Sequence, residues 1–107
     1  MIDPSAAWNE VNATKVSSQE LIQIMTGYSN LGMTLFVGTD SMLYNKYCNF
    51  SCIVAVHSNE LNIANYYFQK QKIINDRFKI LENKILKEIQ ISINTAGFLK
   101  KEIPGAD

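Results

Sequence analysis

The sequence predicts an α+β domain: a three-stranded antiparallel meander packed against a long C-terminal helix, with a short N-terminal helix ahead of the strands. Three observations predict it. Residues 48–57 alternate with a period of two, placing Cys48, Phe50, Cys52, Val54 and Val56 on one side and Asn49, Ser51, Ile53, Ala55 and His57 on the other, as a half-buried strand does. The apolar stretches 34–40 and 61–73 flank it with gaps too short for a crossover connection, which favours antiparallel neighbours. From Asn75 the apolar period changes to three and four residues and holds through Ala96, which is helical spacing.

The elements follow in order. Residues 1–16 show no sustained period and read as an irregular arm that Trp8 and Val11 can fasten to the body. Ser17 followed by Glu20 fits a capping box, in which each side chain satisfies a free backbone N–H at a helix start. Leu21, Ile22, Ile24 and Met25 give that helix an apolar side, and Gly27 and the "SNLG" segment end it. In the first strand, "LFVGTDS", an apolar run delivers Asp40, for which an Asx-type turn and a metal ligand are both open readings. The second strand thickens in apolar character from Ile53, and "HSNE" is a turn. Tyr66, Tyr67 and Phe68 centre the third strand. At strand spacing, they and Tyr44 and Tyr47 read as cross-strand pairs and core, with base stacking as the sharper alternative. Lys70 and Lys72, with Arg77 and Lys79, read as a solvated strand end and helix start, with phosphate contact as the alternative.

Asn75 or Asp76 is placed to cap the long helix. Phe78, Leu81, Ile85, Ile89, Ser92 and Ala96 define its core-facing side, and Lys79, Asn83, Lys87 and Gln90 lie toward the other. Gly97 or the "KKEIPGAD" segment ends it. One sheet face then packs on this helix, and the arm and short helix are expected to cover the other.

Composition sets the outer limits. At 107 residues the chain is long enough for one domain with one core. Ten basic and ten acidic residues cancel, so no global field favours nucleic acid or a membrane. The apolar runs are far shorter than a bilayer span, and no membrane partner is expected. Cys48 and Cys52 stand about 13 Å apart along one strand, too far for a disulfide within it. With no secretion signal, this points to a reducing, cytoplasmic location. His57 is the only histidine, too few nitrogen and sulfur ligands for zinc.

"LFVGTDS", the two strands after it and "RFKILENKILKEIQISINTA" together resemble the YkuK-like nucleases of the ribonuclease H-like superfamily. The matching residues are Gly38, Thr39, Asp40 and Ser41 on the strand and Leu86, Lys87, Glu88 and Ser92 on the helix. The resemblance implies a ribonuclease H-like fold and metal-dependent nuclease activity, with Mg2+ or Mn2+ held between carboxylates. It makes Asp40 the first-strand catalytic and metal ligand and Glu88 its partner from the helix, with Glu82 as the alternative. Such ions take oxygen ligands and support phosphodiester hydrolysis as a pair. It also implies nucleic acid as a partner.

The family continues into a fourth strand bearing another acid, whereas this sequence ends at "EIPGAD", with Asp107 where that strand would begin. The expectation is a single truncated domain over 1–107, incomplete at the C-terminus, whose first strand is an open edge. Such edges pair with other chains, so a homo-oligomer through the first-strand edge is expected. The rival function is therefore a non-catalytic interaction module. His57, beside Ser58 at a strand end, is read as structural.

Overall fold

The computed structural model describes residues 2–10, 14–57, 63–74 and 76–103. Within them the chain runs β1 (Trp8–Glu10), β2 (Lys15–Val16), α1 (Ser18–Asn30), β3 (Thr34–Leu43), β4 (Cys48–His57), β5 (Ile63–Ile73), a 3-10 turn (Asp76–Lys79) and α2 (Leu81–Glu102). The expected α+β meander and long C-terminal helix are present. The sheet is wider than expected, with five strands in the order β2-β1-β5-β4-β3 and every neighbour antiparallel. The extra strands come from the stretch read as an irregular arm. Asn9 pairs with Phe68 and Glu10 with Tyr67, which places β1 beside β5.

α1 starts where the capping box places it. Ser17 accepts from the backbone of Glu20 at 3.1 Å, and the Glu20 carboxylate reaches back to Ser17 N at 3.4 Å. The helix runs through Gly27 and stops just before Gly32, whose φ of 79° is left-handed backbone that favours glycine. α2 begins later than expected. A 3-10 turn precedes it, and its N-cap is Ile80, with no side-chain cap. His57 of the "HSNE" stretch ends β4, and Ser58, Asn59, Glu60 and Asn75 lie outside the described residues.

The register sorts every β3–β5 side chain onto one of two faces. On the first lie Leu35, Val37, Thr39, Ser41, Cys48, Phe50, Cys52, Val54, Val56, Tyr67 and Gln69. This face carries the core, in which Phe50, Cys52, Val54 and Val56 are closed from solvent together with Trp8, Leu21, Met25, Phe78, Ile91 and Leu99. Both helices therefore lie on this one face, side by side, with Ile22 and Phe98 across a shared groove. The expectation that α1 and the arm would cover the second face is corrected: a helix must follow its apolar stripe, and Leu21 and Met25 follow the side already used by α2.

The second face carries Phe36, Gly38, Asp40, Asn49, Ser51, Ile53, Tyr66, Phe68, Lys70 and Lys72. No described helix covers it. β3 is the edge strand, and along the edge beyond it α2 shows a second difference. Its buried residues are Ile91, Thr95 and Leu99. Ile85, Ile89 and Ala96, expected to face the core, lie roughly 100° around the helix from them and are exposed. α2 rides over β3 at the rim of the sheet, so the stripe projects past the last strand with no described element beneath it.

Phe50 is fully buried and meets Phe78 edge to face, with ring centroids 5.1 Å apart. Phe50→Ala should lower unfolding free energy by about 3–5 kcal/mol, measured by urea titration of the circular dichroism signal.

Candidate functional site

Strand alternation decides what the G-T-D-S segment can touch. Thr39 and Ser41 face α2, whereas Gly38 and Asp40 face away from it. On α2, Lys84, Glu88, Ser92 and Thr95 recur at four and three residues and lie along the side above β3 and β4. The two rows meet as a polar seam. The Thr39 and Ser92 hydroxyls are 2.7 Å apart. The Ser41 hydroxyl donates to Glu88 Oε2. Lys84 Nζ stands 3.4 Å from the same oxygen, with both side chains about four-fifths buried. The Cys52 thiol donates to Thr95 Oγ1 at 3.4 Å.

Each polar group in the seam thus has a partner, as burial requires. Among the described residues no buried side-chain nitrogen or oxygen lacks one. Burial pushes both thiols up from their ordinary value. For Cys48 the Lys84 ammonium opposes this, and for Cys52 the hydrogen bonds shared with Thr95 and Thr39 do. Both cysteines are free.

Asp40 is not at the end of a strand. β3 continues to Leu43, and the Asp40 side chain is exposed on the helix-free face, where Oδ1 accepts from Ser41 N at 2.9 Å. Glu88 lies under α2 on the other face. The structure does not bring these two carboxylates together. Glu82 is exposed in the first turn of α2, where an acid complements the helix dipole. It projects about 120° around the helix from Glu88.

These residues do not fit a divalent ion between strand and helix. The only carboxylate in the seam is held by a hydroxyl and an ammonium, and that ammonium opposes a second cation. Among the described residues no group of three His, Cys, Asp or Glu gathers that could hold a metal.

The residues that do converge are Thr39 with Ser92 and Ser41 with Glu88. All four belong to the strand and helix segments that carry the resemblance, but of these four the resemblance gives a site role to Glu88 alone. Their spacing by two, set against helix positions spaced by four, was the available signal.

A meander with a signature strand at its rim and a long helix docked across it by a polar seam defines an α+β module built on its first long strand. The chain belongs to the ribonuclease H-like family: a family model with that description matches residues 16–106, from β2 through α2. No curated protein and no solved structure matches it. The superfamily is nuclease-like, and its fold is generally divalent-metal dependent. No helix among the described residues is long and apolar enough to cross a membrane.

Two outcomes test the seam. Ser41→Ala, which strips Glu88 of its hydroxyl partner, should cost about 1–2 kcal/mol of stability, read by chemical denaturation. Cys48, Cys52 and the burial-raised Tyr67 hydroxyl all hold their protons more tightly folded than unfolded. Their contribution is full at neutral pH and is lost as pH climbs past the ordinary thiol value of 9.0. Urea midpoints should therefore fall through the alkaline range, and Cys52→Ala should flatten that fall.

Proposed function

We propose that this ribonuclease H-like chain works as an interaction module that assembles with a second copy of itself through β3, and that Asp40 and Glu88 do not form a hydrolytic metal pair. The observation that carries the reading is the continuity of two unsatisfied surfaces. β3 is ten residues long and hydrogen-bonded on one side only among the described residues. It has no lysine, arginine or proline to blunt its edge. Beside it, Ile85, Ile89 and Ile93 of α2 are exposed, Ile93 at 64%. Between strand and helix opens a cavity of about 440 Å³ lined by Leu35, Val37, Ile93, Ala96 and Leu99.

Twofold symmetry about an axis beside β3 would suit this partner. Antiparallel pairing of two β3 strands presents the same patch from each chain, as a closed dimer requires. It also sets the two α2 stripes against one another. Backbone hydrogen bonds would supply the strand contact, and burial of the isoleucines would supply most of the free energy.

Metal-dependent phosphodiester hydrolysis is the second reading, and the family match over residues 16–106 favours it. Asp40 reaches the helix side only if β3 slips by one residue, which reverses every side chain. That slip would expose Leu35 and Val37 and break both hydroxyl contacts.

Light scattering after size exclusion should give a dimer. Ile89→Lys with Ile93→Glu, at positions exposed in the single chain, should return it to monomer with an unchanged circular dichroism spectrum. A monomer at every concentration would overturn the assembly. Incubation with Mg2+ or Mn2+ and labelled DNA, RNA and hybrid strands should give no cleavage above an Asp40→Asn control. Metal-dependent cleavage abolished by Asp40→Asn would establish the second reading instead.

A further inference from the structure

The geometry points to a binding platform for single-stranded nucleic acid on the helix-free face of the sheet, built from Phe36, Tyr66, Phe68, Lys70 and Lys72. The site lies on the opposite side of the sheet from the polar seam and the α2 stripe, and it uses outward side chains of β3 rather than its backbone edge, so it does not depend on the assembly proposed above.

The register places these residues in successive rows across the strands. Phe36, Ala55 and Tyr66 form one row, and Gly38, Ile53 and Phe68 the next. Asp40, Ser51 and Lys70 follow, and then Met42, Asn49 and Lys72. The first two rows are aromatic and the last two carry the cations. From Tyr66 to Lys72 the strand covers about 20 Å, a span suited to a few nucleotides.

Three features fit a single strand better than a protein or a lipid surface. The rings are spaced out among small and polar side chains rather than gathered in a closed apolar patch, with Phe36 edge to face against His57 at 5.5 Å. Phe36 is 49% exposed, Tyr66 and Phe68 are half-buried, and the last two have centroids 6.3 Å apart. Gly38, between Phe36 and Asp40, has no atom within 4 Å of where a Cβ would stand, which leaves an open floor beside the Phe68 row. The charge is one-sided. Asn9 pairs with both Phe68 and Lys15, so Lys15 joins Lys70 and Lys72 on this face, against the one carboxylate, Asp40, that the described β3–β5 residues place there.

The cations sit close to the rings. Lys70 Nζ lies 5.6 Å from the Phe68 centroid, and Lys72 Nζ lies 4.2 Å from that of Tyr47, which stacks on Tyr44. Alternating aromatic faces and ammonium groups on an open antiparallel sheet match a chain of alternating bases and phosphates. Tyr67, in the middle of the same aromatic run, is buried on the core face and takes no part.

The test is fluorescence anisotropy with labelled poly-U and poly-dT oligonucleotides of roughly 12 nucleotides at low salt, a length within known single-strand site sizes. A duplex of equal length is the control. Single strands should bind, the duplex should bind at least about tenfold more weakly, and the salt dependence should reflect only two or three phosphate contacts. Lys70→Gln with Lys72→Gln should flatten that dependence. Phe68→Leu, which keeps apolar volume but removes the ring, should weaken binding about tenfold.

Gly38→Glu is the sharpest variant. A Cβ at this position meets no neighbouring atom, so the variant should leave the fold unchanged, checked by circular dichroism, while abolishing binding. Absence of binding to either single strand, equal binding of the duplex, or binding indifferent to Gly38→Glu would each overturn the platform. A dimer that binds no oligonucleotide leaves the assembly standing, and a monomer that binds leaves the platform standing.

Discussion

The docking of α2 onto β3 is the constraint on which the rest of the structure depends. It is made by hydroxyls and one carboxylate as much as by apolar contact. Ser41 and Lys84 converge on Glu88, and Thr39 meets Ser92. Hydrogen bonds are directional, whereas apolar contact is not. A seam of this kind therefore fixes the rotation of the helix about its axis. Glu88 and Ser92 must point down, and Ile85, Ile89 and Ile93 are then carried outward past the strand. An apolar stripe that would ordinarily define the buried side of a helix becomes a surface because the polar positions claimed the sheet first.

The same seam fixes the register of β3. Leu35 and Val37 line the floor under α2, and Thr39 and Ser41 continue that row. In a strand the side of each residue follows from the side of its neighbour. Burying two aliphatic side chains and pairing two hydroxyls therefore turns Asp40 outward. Its charge then stands on a face with aromatic rings and lysines. The family signature keeps its letters here, but in this geometry two of them bind the helix and the acid between them does not.

The sheet is consequently two-sided in chemistry. One face carries both helices and the core, down to Trp8, whose indole N–H donates to Pro4 O at 3.0 Å. The other carries small, aromatic and basic residues in rows. Ala55, between Phe36 and Tyr66 in its row, is 6% exposed on that second face, which no described helix covers. Within a chain of zero formal charge, Lys15, Lys70 and Lys72 share this second face with Asp40.

Much of this was legible in the sequence, and what was legible was local. Period two over 48–57, the Ser17–Glu20 cap and the change of period toward α2 each depend on contacts within one element, so they specify strand, cap and helix without reference to the rest of the chain. Tertiary structure decided what is long-range. Trp8–Glu10 is too short to show a period, and it became a strand only because β5 offered an open edge to pair with. α1 joined α2 on one face because their apolar sides compete for the same core. Asp40 and Glu88 were separated by strand parity, which depends on which neighbour of Asp40 the helix binds, and nothing within either segment specifies that.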